Sequence, residues 1–250
     1  MDWKHKCDLG WLIERQKYLT ASDIKTLIPF TKTGRSRKVD DTDYLKMMAK
    51  KQVILTGEDC WSYGAAARGH LLEPYAIDAL NDWFINRGAT RQMFFHWDDE
   101  LISLPNREIA FSPDALDIPQ LHENSQMPTM LAEVKCYSPD RHIATAYTEK
   151  SQIEERWQIA TAMALLDSIE TAYLVLFNPS MRGSNRLFVI QYTRDDLKNE
   201  IATITKIETD WMLFKMSRPF LPITTERGSE GLDEIDIIDE LERAQRMNPV

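Results

Sequence analysis

A pair of carboxylates set into apolar, strand-like sequence constrains this chain more than any other feature. Asp114 follows a short apolar run, and Glu133 comes nineteen residues later inside a second run, 130–136, with Lys135 two positions on. Residues two apart on a strand point to the same face, so Glu133 and Lys135 are predicted to project together while Val134 faces the core. A carboxylate inside an apolar strand is costly unless it is paired or binds metal. Asp114 and Glu133 therefore predict an oxygen-ligand site for Mg²⁺ or Mn²⁺ beside an ammonium group.

The simplest alternative is that Glu133 and Lys135 form a solvated pair on an edge strand, with Asp114 an ordinary turn aspartate. Charge alternation of this kind is common, so the Glu-Val-Lys sequence alone favours that interpretation. The dipeptide Ser112-Pro113 before Asp114 and the apolar surroundings of both carboxylates favour the metal site instead. Such a site suits phosphodiester hydrolysis, because in-line displacement needs a nucleophile made from water and charge stabilisation at the phosphorus oxygens.

Length and composition place the chain among globular proteins. Its 250 residues fit one large domain or two small ones, and 43% apolar residues with seven tryptophans allow a substantial core. The three cysteines, at 7, 60 and 136, are far apart and match no zinc spacing. No stretch approaches about 18 uncharged apolar residues, and the N-terminus has no apolar segment typical of a signal peptide. We therefore expect a reduced, cytoplasmic protein without a membrane span.

Charge is distributed unevenly along the chain. The formal net charge of −9 argues against a strongly basic protein that coats DNA with its whole surface. Residues 1–51 nevertheless carry twelve Lys and Arg against seven Asp and Glu, whereas residues 226–250 carry eight acids against three bases. Because local charge governs phosphate binding more than the total does, the basic N-terminal part is compatible with a nucleic-acid partner.

The order of predicted elements indicates an α/β domain with a mixed central β-sheet flanked by helices. We predict one domain over residues 1–222, with a helical, basic part at 1–60, followed by an acidic, helical tail at 223–250. The helix near 152–166 is predicted to have an apolar side with Trp157 and a polar side with Gln158 and Thr161. Helices are predicted near 11–18, 24–28, 44–53, 61–86, 152–166 and 194–216, and strands at 91–97, 108–116, 130–136, 171–177 and 186–192.

Five short motifs follow one another along the chain. They are Arg15 with Leu19–Asp23, Arg68–Pro74, Ser112–Asp114, Glu133–Lys135, and Gln158 with Asn178-Pro179. In this order they resemble the lambda-exonuclease and YqaJ-like viral recombinase family of PD-(D/E)xK nucleases, over roughly residues 10 to 215. The resemblance implies a restriction-endonuclease-like core around the mixed sheet.

The resemblance also implies an activity. It is that of a Mg²⁺-dependent exonuclease, with Mn²⁺ able to substitute, that degrades one strand of linear double-stranded DNA in the 5′-to-3′ direction. The resulting 3′ single-stranded overhangs serve phage-type homologous recombination by strand annealing. Lys135 is expected to orient or deprotonate the attacking water, and Gln158 to hold that water or the Lys135 amine. The implied catalytic set is Asp114, Glu133, Lys135 and Gln158, and the implied metal ligands are Asp114, Glu133, the Val134 carbonyl and, near a second ion, Glu73.

DNA contacts and partners follow from the same resemblance. Arg15 is expected to contact a phosphate at the 5′ end, and Ser22, Lys32 and Arg35 are the other candidate DNA-binding residues. The implied partners are double-stranded DNA ends, a single-strand annealing protein and further copies of the chain in a homotrimer, with no membrane. If the gene is carried by a phage or prophage, the protein is expected in the cytoplasm of the bacterial host.

Two other functions remain open from the sequence. One is a site-specific or repair endonuclease of the same superfamily, which Asp114, Glu133 and Lys135 alone do not distinguish from an exonuclease. The other is a catalytically silent DNA-end-binding protein with the same fold, against which the intact triplet speaks. A circular, nick-free duplex separates the two kinds of nuclease, since an exonuclease leaves it intact.

Overall fold

A five-stranded mixed sheet lies at the centre of the protein, in a computed structural model that describes residues 9–29, 37–53, 65–97, 100–118 and 126–217. A compact unit ends at Phe214, and residues 215–217 complete the last described helix. Lys32, Arg35 and the acidic tail at 223–250 lie outside the described residues, so the predictions made for them stay predictions.

Helices and strands alternate irregularly along the described ranges. The helices are α1 (Leu9–Gln16), α2 (Ala21–Leu27), α3 (Asp41–Lys50), α4 (Ala65–Ile85), α5 (Pro139–Tyr147), α6 (Ile153–Leu165) and α7 (Lys198–Ser217). The strands are β1 (Leu19–Thr20), β2 (Phe95–His96), β3 (Ile102–Ser103), β4 (Ile109–Phe111), β5 (Ala115–Leu116), β6 (Met130–Lys135), β7 (Thr171–Phe177) and β8 (Leu187–Thr193). None of the described helices has the length and apolar content needed to cross a membrane.

Capping residues fix the starts of the helices near the N-terminus. Thr20 is the N-cap of α2, and its backbone N–H donates to Asp23 Oδ2 at 3.0 Å. At the start of α3 the Asp40 carboxylate accepts hydrogen bonds from the backbone N–H groups of Thr42 and Asp43. Such caps stabilise a helix because they engage polar backbone groups that the helix itself leaves unpaired.

The central sheet has the strand order β2-β5-β6-β7-β8. Its middle pair, β6 and β7, runs parallel, whereas the other neighbouring pairs run antiparallel. A smaller sheet has the order β1-β4-β3, with β1 parallel to β4 and β3 antiparallel to it. The mixed sheet and its flanking helices confirm the predicted α/β class.

Helices cover both faces of β6. Leu131 belongs to an apolar cluster that includes Ile159 of α6, whereas Val134 belongs to a second cluster that includes Ile77 of α4. Successive side chains of a strand alternate between its two faces, which is why neighbouring residues of β6 enter different clusters. Glu133, two residues after Leu131, therefore projects to the α6 side of the sheet.

The segment 108–116, predicted as one strand, is two strands that belong to different sheets. β4 ends at Phe111 and pairs in the small sheet, and β5 begins at Ala115 and pairs in the central sheet. Pro113 lies between them and has no backbone N–H to donate to a ladder. The chain thus passes from one sheet to the other at Pro113, and Asp114 lies at the junction.

Helix α6 is more buried than the sequence predicts. Gln158 is half-buried, but Thr161 is fully buried and donates its hydroxyl to the Trp157 carbonyl oxygen at 2.7 Å. The predicted polar side is therefore wrong at Thr161. The physical reason is that α6 packs against both α2 and β4, which leaves its C-terminal half no solvent-facing side.

Candidate active site

Asp114 lies directly before β5 and is brought beside Glu133 of β6. Ala115 pairs with Ala132 in the antiparallel ladder of β5 and β6, and continuing that register by one residue places Asp114 opposite Glu133. Directly opposed side chains point to the same face, with Cβ atoms about 4.5–5.5 Å apart. Val134 fixes the aspartate further, because its backbone N–H donates to Asp114 Oδ2 at 2.6 Å. The two carboxylates found nineteen residues apart in sequence thus face the same side of the sheet.

Lys135 adds a positive charge to this pair. Its ammonium group donates to Glu133 Oε1, and the lysine and glutamate side chains are 20% and 11% exposed. Burial opposes the charged form, yet the charges of Glu133 and Asp114 outweigh it and raise the pKa of Lys135 above its ordinary value. Lys135 is therefore an ammonium ion at neutral pH, which suits the stabilisation of negative charge on a phosphate.

The carboxylate pair offers the oxygen ligands that Mg²⁺ and Mn²⁺ prefer. Among the described residues, no three His, Cys, Asp or Glu side chains converge closely enough to hold an ion by themselves. Mg²⁺ does not need such a cage, since it usually keeps several waters and binds one or two carboxylates together with substrate phosphates. Asp114 and Glu133 fit that ion, and the Val134 carbonyl stays a predicted third ligand.

Glu73, the residue predicted near a second ion, lies on α4 with only 5% of its surface exposed. His70 Nδ1 and His96 Nε2 lie 3.7 Å and 3.6 Å from its carboxylate oxygens. Burial, and then the charges of Glu73 and Asp114, raise the pKa of the Cys136 thiol to about 11. Glu73 therefore lies beside two imidazoles that the sequence did not place there, and its role near a second ion stays a prediction.

Gln158, predicted to hold the attacking water or the Lys135 amine, is half-buried. Among the described residues Lys135 donates to Glu133 and not to Gln158, so the role of Gln158 stays a prediction. One turn earlier, Glu155 is 1% exposed and accepts a hydrogen bond from the Tyr137 hydroxyl. Arg141 donates to the same Glu155 oxygen at 3.3 Å. Glu155 is therefore the α6 side chain that reaches the segment just after β6.

Sequence reasoning missed Glu155, and little in the sequence could have revealed it. Its neighbours Glu154 and Arg156 are also charged, so Glu155 does not stand out as a carboxylate in apolar surroundings. Only the packing of α6 distinguishes them, since Glu154 is half-buried whereas Glu155 is fully enclosed. Tyr137, two residues after Lys135, could have been noticed because it continues the alternation of β6.

Asn178 and Arg68, from two different sequence motifs, meet beside this strand end. Asn178 is fully buried, and its Nδ2 donates to the Tyr137 carbonyl oxygen at 2.9 Å. Its Oδ1 accepts from Arg68 at 3.3 Å and from the Ser180 backbone N–H at 3.0 Å. The charge of Arg68 also lowers the pKa of Cys136, against the stronger effects of burial and of the two carboxylates. The two motifs are thus joined although 110 residues separate them.

Arg15 and Ser22, two of the predicted DNA contacts, form one cluster. Arg15 Nη2 donates to Ser22 Oγ at 2.8 Å, and the guanidinium carbon lies 5.0 Å from the centroid of the Trp11 ring. The Ser22 hydroxyl in turn lies 2.9 Å from that of Thr20. Burial lowers the pKa of Arg15, and the charge of Asp23 offsets part of that effect.

Ser22 and Asp114 follow the same ends of two adjacent strands. β1 runs parallel to β4, with Thr20 level with Ala110. The chain segments that leave both strands therefore begin side by side. One leads to Ser22, and the other leads through Pro113 to Asp114. The fold thus brings the first and third sequence motifs together.

Comparisons with known proteins agree with this architecture. No protein-family model matches the sequence, and no curated protein matches it. Solved structures do match. An alkaline exonuclease from Laribacter hongkongensis, LHK-Exo, is 21% identical with a TM-score of 0.54, over 84% of this chain and 97% of that one. Its complex with dAMP gives 22% identity and a TM-score of 0.53 over the same shares.

A third structure, a phage-related exonuclease from Haemophilus somnus 129PT, is 15% identical with a TM-score of 0.50, over 80% of this chain and 96% of that one. At these identities the likeness shows the fold, and that fold is the one found in these exonucleases. The shared fold confirms the architecture that the five motifs implied.

Proposed function

We propose that the protein is a metal-dependent deoxyribonuclease that degrades one strand of linear double-stranded DNA from the 5′ end. One observation supports this most directly: Asp114 and Glu133 face each other across the ladder, and Lys135 pairs with Glu133. The exonuclease fold of the chain supports it independently. The 3′ overhangs left by such an enzyme are substrates for strand annealing, and we propose phage-type recombination as the setting of the activity.

Asp114 and Glu133 are the residues that would hold the metal ion. Mg²⁺, with Mn²⁺ as substitute, would supply Lewis-acid stabilisation of the phosphate and lower the pKa of a bound water. Asp114 directly precedes β5, and its carboxylate is held by the backbone N–H of Val134, the neighbour of Glu133 on β6. Glu73 is the further carboxylate that we assign to a second ion.

Lys135 would stabilise the charge that develops on the phosphate. The ammonium group, held by Glu133, would place a positive charge beside the phosphate. The hydrogen bond to Glu133, on the same strand β6, fixes the position of the ammonium group. A preorganised cation is worth more here than in water, because no solvent has to reorganise as the reaction proceeds.

Arg15 and Ser22 would recognise the 5′-terminal phosphate. A guanidinium donates to phosphate oxygens through two parallel hydrogen bonds, and a serine hydroxyl adds a third donor. The cluster lies at the same end of the paired strands as Asp114, so a bound terminus would lead its strand towards the carboxylates. LHK-Exo has been solved with dAMP, a mononucleotide, which is the kind of product that stepwise cleavage gives.

Assembly and location belong to the same proposal. We expect a homotrimer that encloses duplex DNA, a single-strand annealing protein as companion, and action in the cytoplasm of a bacterial host. Sedimentation of the purified chain tests the first of these expectations. Co-purification with an annealing protein encoded beside the gene tests the second.

Digestion of linear and nick-free circular duplexes, each with and without Mg²⁺, tests the proposed function. The proposal predicts metal-dependent loss of the linear substrate and an intact circle. A Glu133→Gln variant serves as the control for contaminating nucleases, since it removes one metal-binding charge at nearly constant shape. Cleavage of the circle would indicate an endonuclease, and no cleavage of either substrate would indicate a silent end-binding protein.

A further inference from the structure

Two lysines that no sequence motif contains lie beside the Arg15 cluster. Lys50 Nζ donates to Asp23 Oδ1 and Lys51 Nζ to Asp23 Oδ2, both at 2.6 Å. Asp23 Oδ2 also accepts from the Thr20 hydroxyl at 2.7 Å and from the Thr20 backbone N–H at 3.0 Å. One carboxylate from α2 thus positions two ammonium groups from the end of α3.

Positive charge exceeds negative charge in this cluster. Within the described ranges, Asp23 is the carboxylate to which Lys50 and Lys51 donate, and it already accepts hydrogen bonds at both of its oxygens. Arg15 adds a third positive charge to the same cluster. Arg15 meanwhile donates to the neutral hydroxyl of Ser22. The lysines and the arginine are electrically coupled, because Arg15 contributes to the lowered pKa of Lys51.

The excess of positive charge is costly because much of the cluster is buried. Asp23 is 3% exposed and Lys51 is 11% exposed, while Lys50 reaches solvent at 58%. Partly desolvated cations are costly unless an anion compensates them, and the cost falls when a second negative group enters. Desolvation is the largest cause of the lowered pKa of Lys51, and Asp23 offsets only part of it. The cluster is therefore built to accept an anion.

We propose that Lys51 and Lys50, positioned by Asp23, complete the Arg15–Ser22 pocket and bind the dianionic monoester phosphate at the 5′ end of a DNA strand. The inference rests on the proposed function, because it assigns further binding residues to the pocket described there.

The number of cations fits a terminal phosphate better than an internal one. A phosphate monoester carries about 1.5–2 negative charges at pH 7, whereas an internal diester carries one. Arg15 alone matches the diester, and the two lysines supply the additional positive charge. Lys51 and Lys50 are thus specificity-determining residues that distinguish a 5′-phosphorylated end from a 5′-hydroxyl end.

Binding of short duplexes with 5′-phosphate or 5′-hydroxyl ends, measured in EDTA so that no cleavage occurs, tests the inference. The measured quantity is the ratio of the two dissociation constants. In wild type the phosphorylated end binds tighter, and Lys51→Met lowers that preference about tenfold, as expected for loss of a charge-assisted hydrogen bond. Lys51→Arg retains most of the preference because the charge remains.

Lys46→Met is the matched control, since Lys46 is an exposed residue of the same helix outside the cluster. It is expected to leave the preference unchanged. Thermal melting checks that each variant folds. If Lys51→Met does not fold, Lys50→Met, at the more exposed lysine, is used in its place. That variant is expected to lower the preference about threefold, because a solvated charge contributes less.

The inference is overturned if Lys51→Met or Lys50→Met keeps the full preference while Arg15→Ala loses it, since the lysines are then only structural. It is also overturned if wild type cleaves linear DNA yet binds both ends equally. Failure of the proposed function looks different: wild type then cleaves nothing with any metal, while the binding ratio still reports on the pocket.

Discussion

At the level of single residues, Glu133 connects the parts of the candidate active site. Its side chain lies opposite Asp114 and accepts a hydrogen bond from the ammonium group of Lys135. Both of these relations follow from strand geometry, because opposed residues and residues two apart share a face. The sequence therefore predicts this triplet well. It does not predict Glu155 or Lys51, whose partners are supplied by distant segments that only tertiary packing brings together.

Lys135→Met tests the role of the ammonium group. We expect the rate of cleavage to fall by about a thousandfold or more, because groups that act as a unit lose most of their effect together. The matched control is Lys206→Met, at a lysine of α7 that is 72% exposed and outside the site. Steady-state cleavage of a linear duplex measures both variants. More than a tenth of the wild-type rate in Lys135→Met would contradict the assignment.

Asp23→Asn is expected to lower stability in a pH-dependent manner. Burial tends to raise the pKa of Asp23, but Lys51, Lys50 and Thr20 outweigh it and hold the pKa well below the ordinary value of 3.8. A carboxyl group whose pKa is lower in the folded state than in the unfolded state stabilises the fold when the pH is above its unfolded-state pKa. That stabilisation is lost as the pH falls towards its folded-state pKa. We expect Asp23→Asn to cost about 3 kcal/mol at pH 7.

Urea unfolding of wild type and Asp23→Asn at pH 7, 5 and 3 provides the measurement. The difference in unfolding free energy should be constant between pH 7 and 5 and smaller by about 1 kcal/mol at pH 3, where the unfolded aspartate is mostly protonated. A difference that stays the same at pH 3 would mean that Asp23 acts through its shape and not through its charge.

At the level of elements, strand ends position the site. The junction of β4 and β5 at Pro113 carries Asp114, and the segments after β6 and β7 meet through Asn178. The long elements, β6, β7, β8 and α6, were predictable because each has a clear apolar pattern. The two-residue strands β1 and β3 were not predictable, because two residues are too few to show a periodic pattern of apolar side chains. Helix α5 was also missed, because it is short and its buried side chains, His142 and Thr145, are polar.

Asn178→Ala tests the junction between the two motifs. The amide is fully buried and makes three hydrogen bonds, to Tyr137, Arg68 and Ser180. We expect a loss of about 2–3 kcal/mol in the free energy of unfolding, because the partners are left unsatisfied. Asn185→Ala, at an exposed asparagine in a nearby turn, is the control and should change stability little. Equal small losses in both variants would show that Asn178 is dispensable.

At the level of the whole molecule, the fold places a carboxylate pair, a buried lysine and a cluster of cations at adjacent strand ends. The net charge of −9 does not oppose DNA binding, because the basic residues that matter are concentrated near the N-terminus. The sheet with its flanking helices is shared with the Laribacter and Haemophilus exonucleases despite low identity. The fold class was therefore predictable from the sequence, whereas the residues of the proposed phosphate pocket could be identified only from the packed structure.

Digestion of a linear duplex labelled at either the 5′ or the 3′ end tests whether the protein is a metal-dependent nuclease that works from the 5′ end. With Mg²⁺ present, we expect early release of the 5′ label in small products, while the 3′ label stays on long single strands until late in the reaction. Without Mg²⁺, neither label should be released. Early release of the 3′ label, or release of either label in EDTA, would contradict a metal-dependent nuclease that works from the 5′ end.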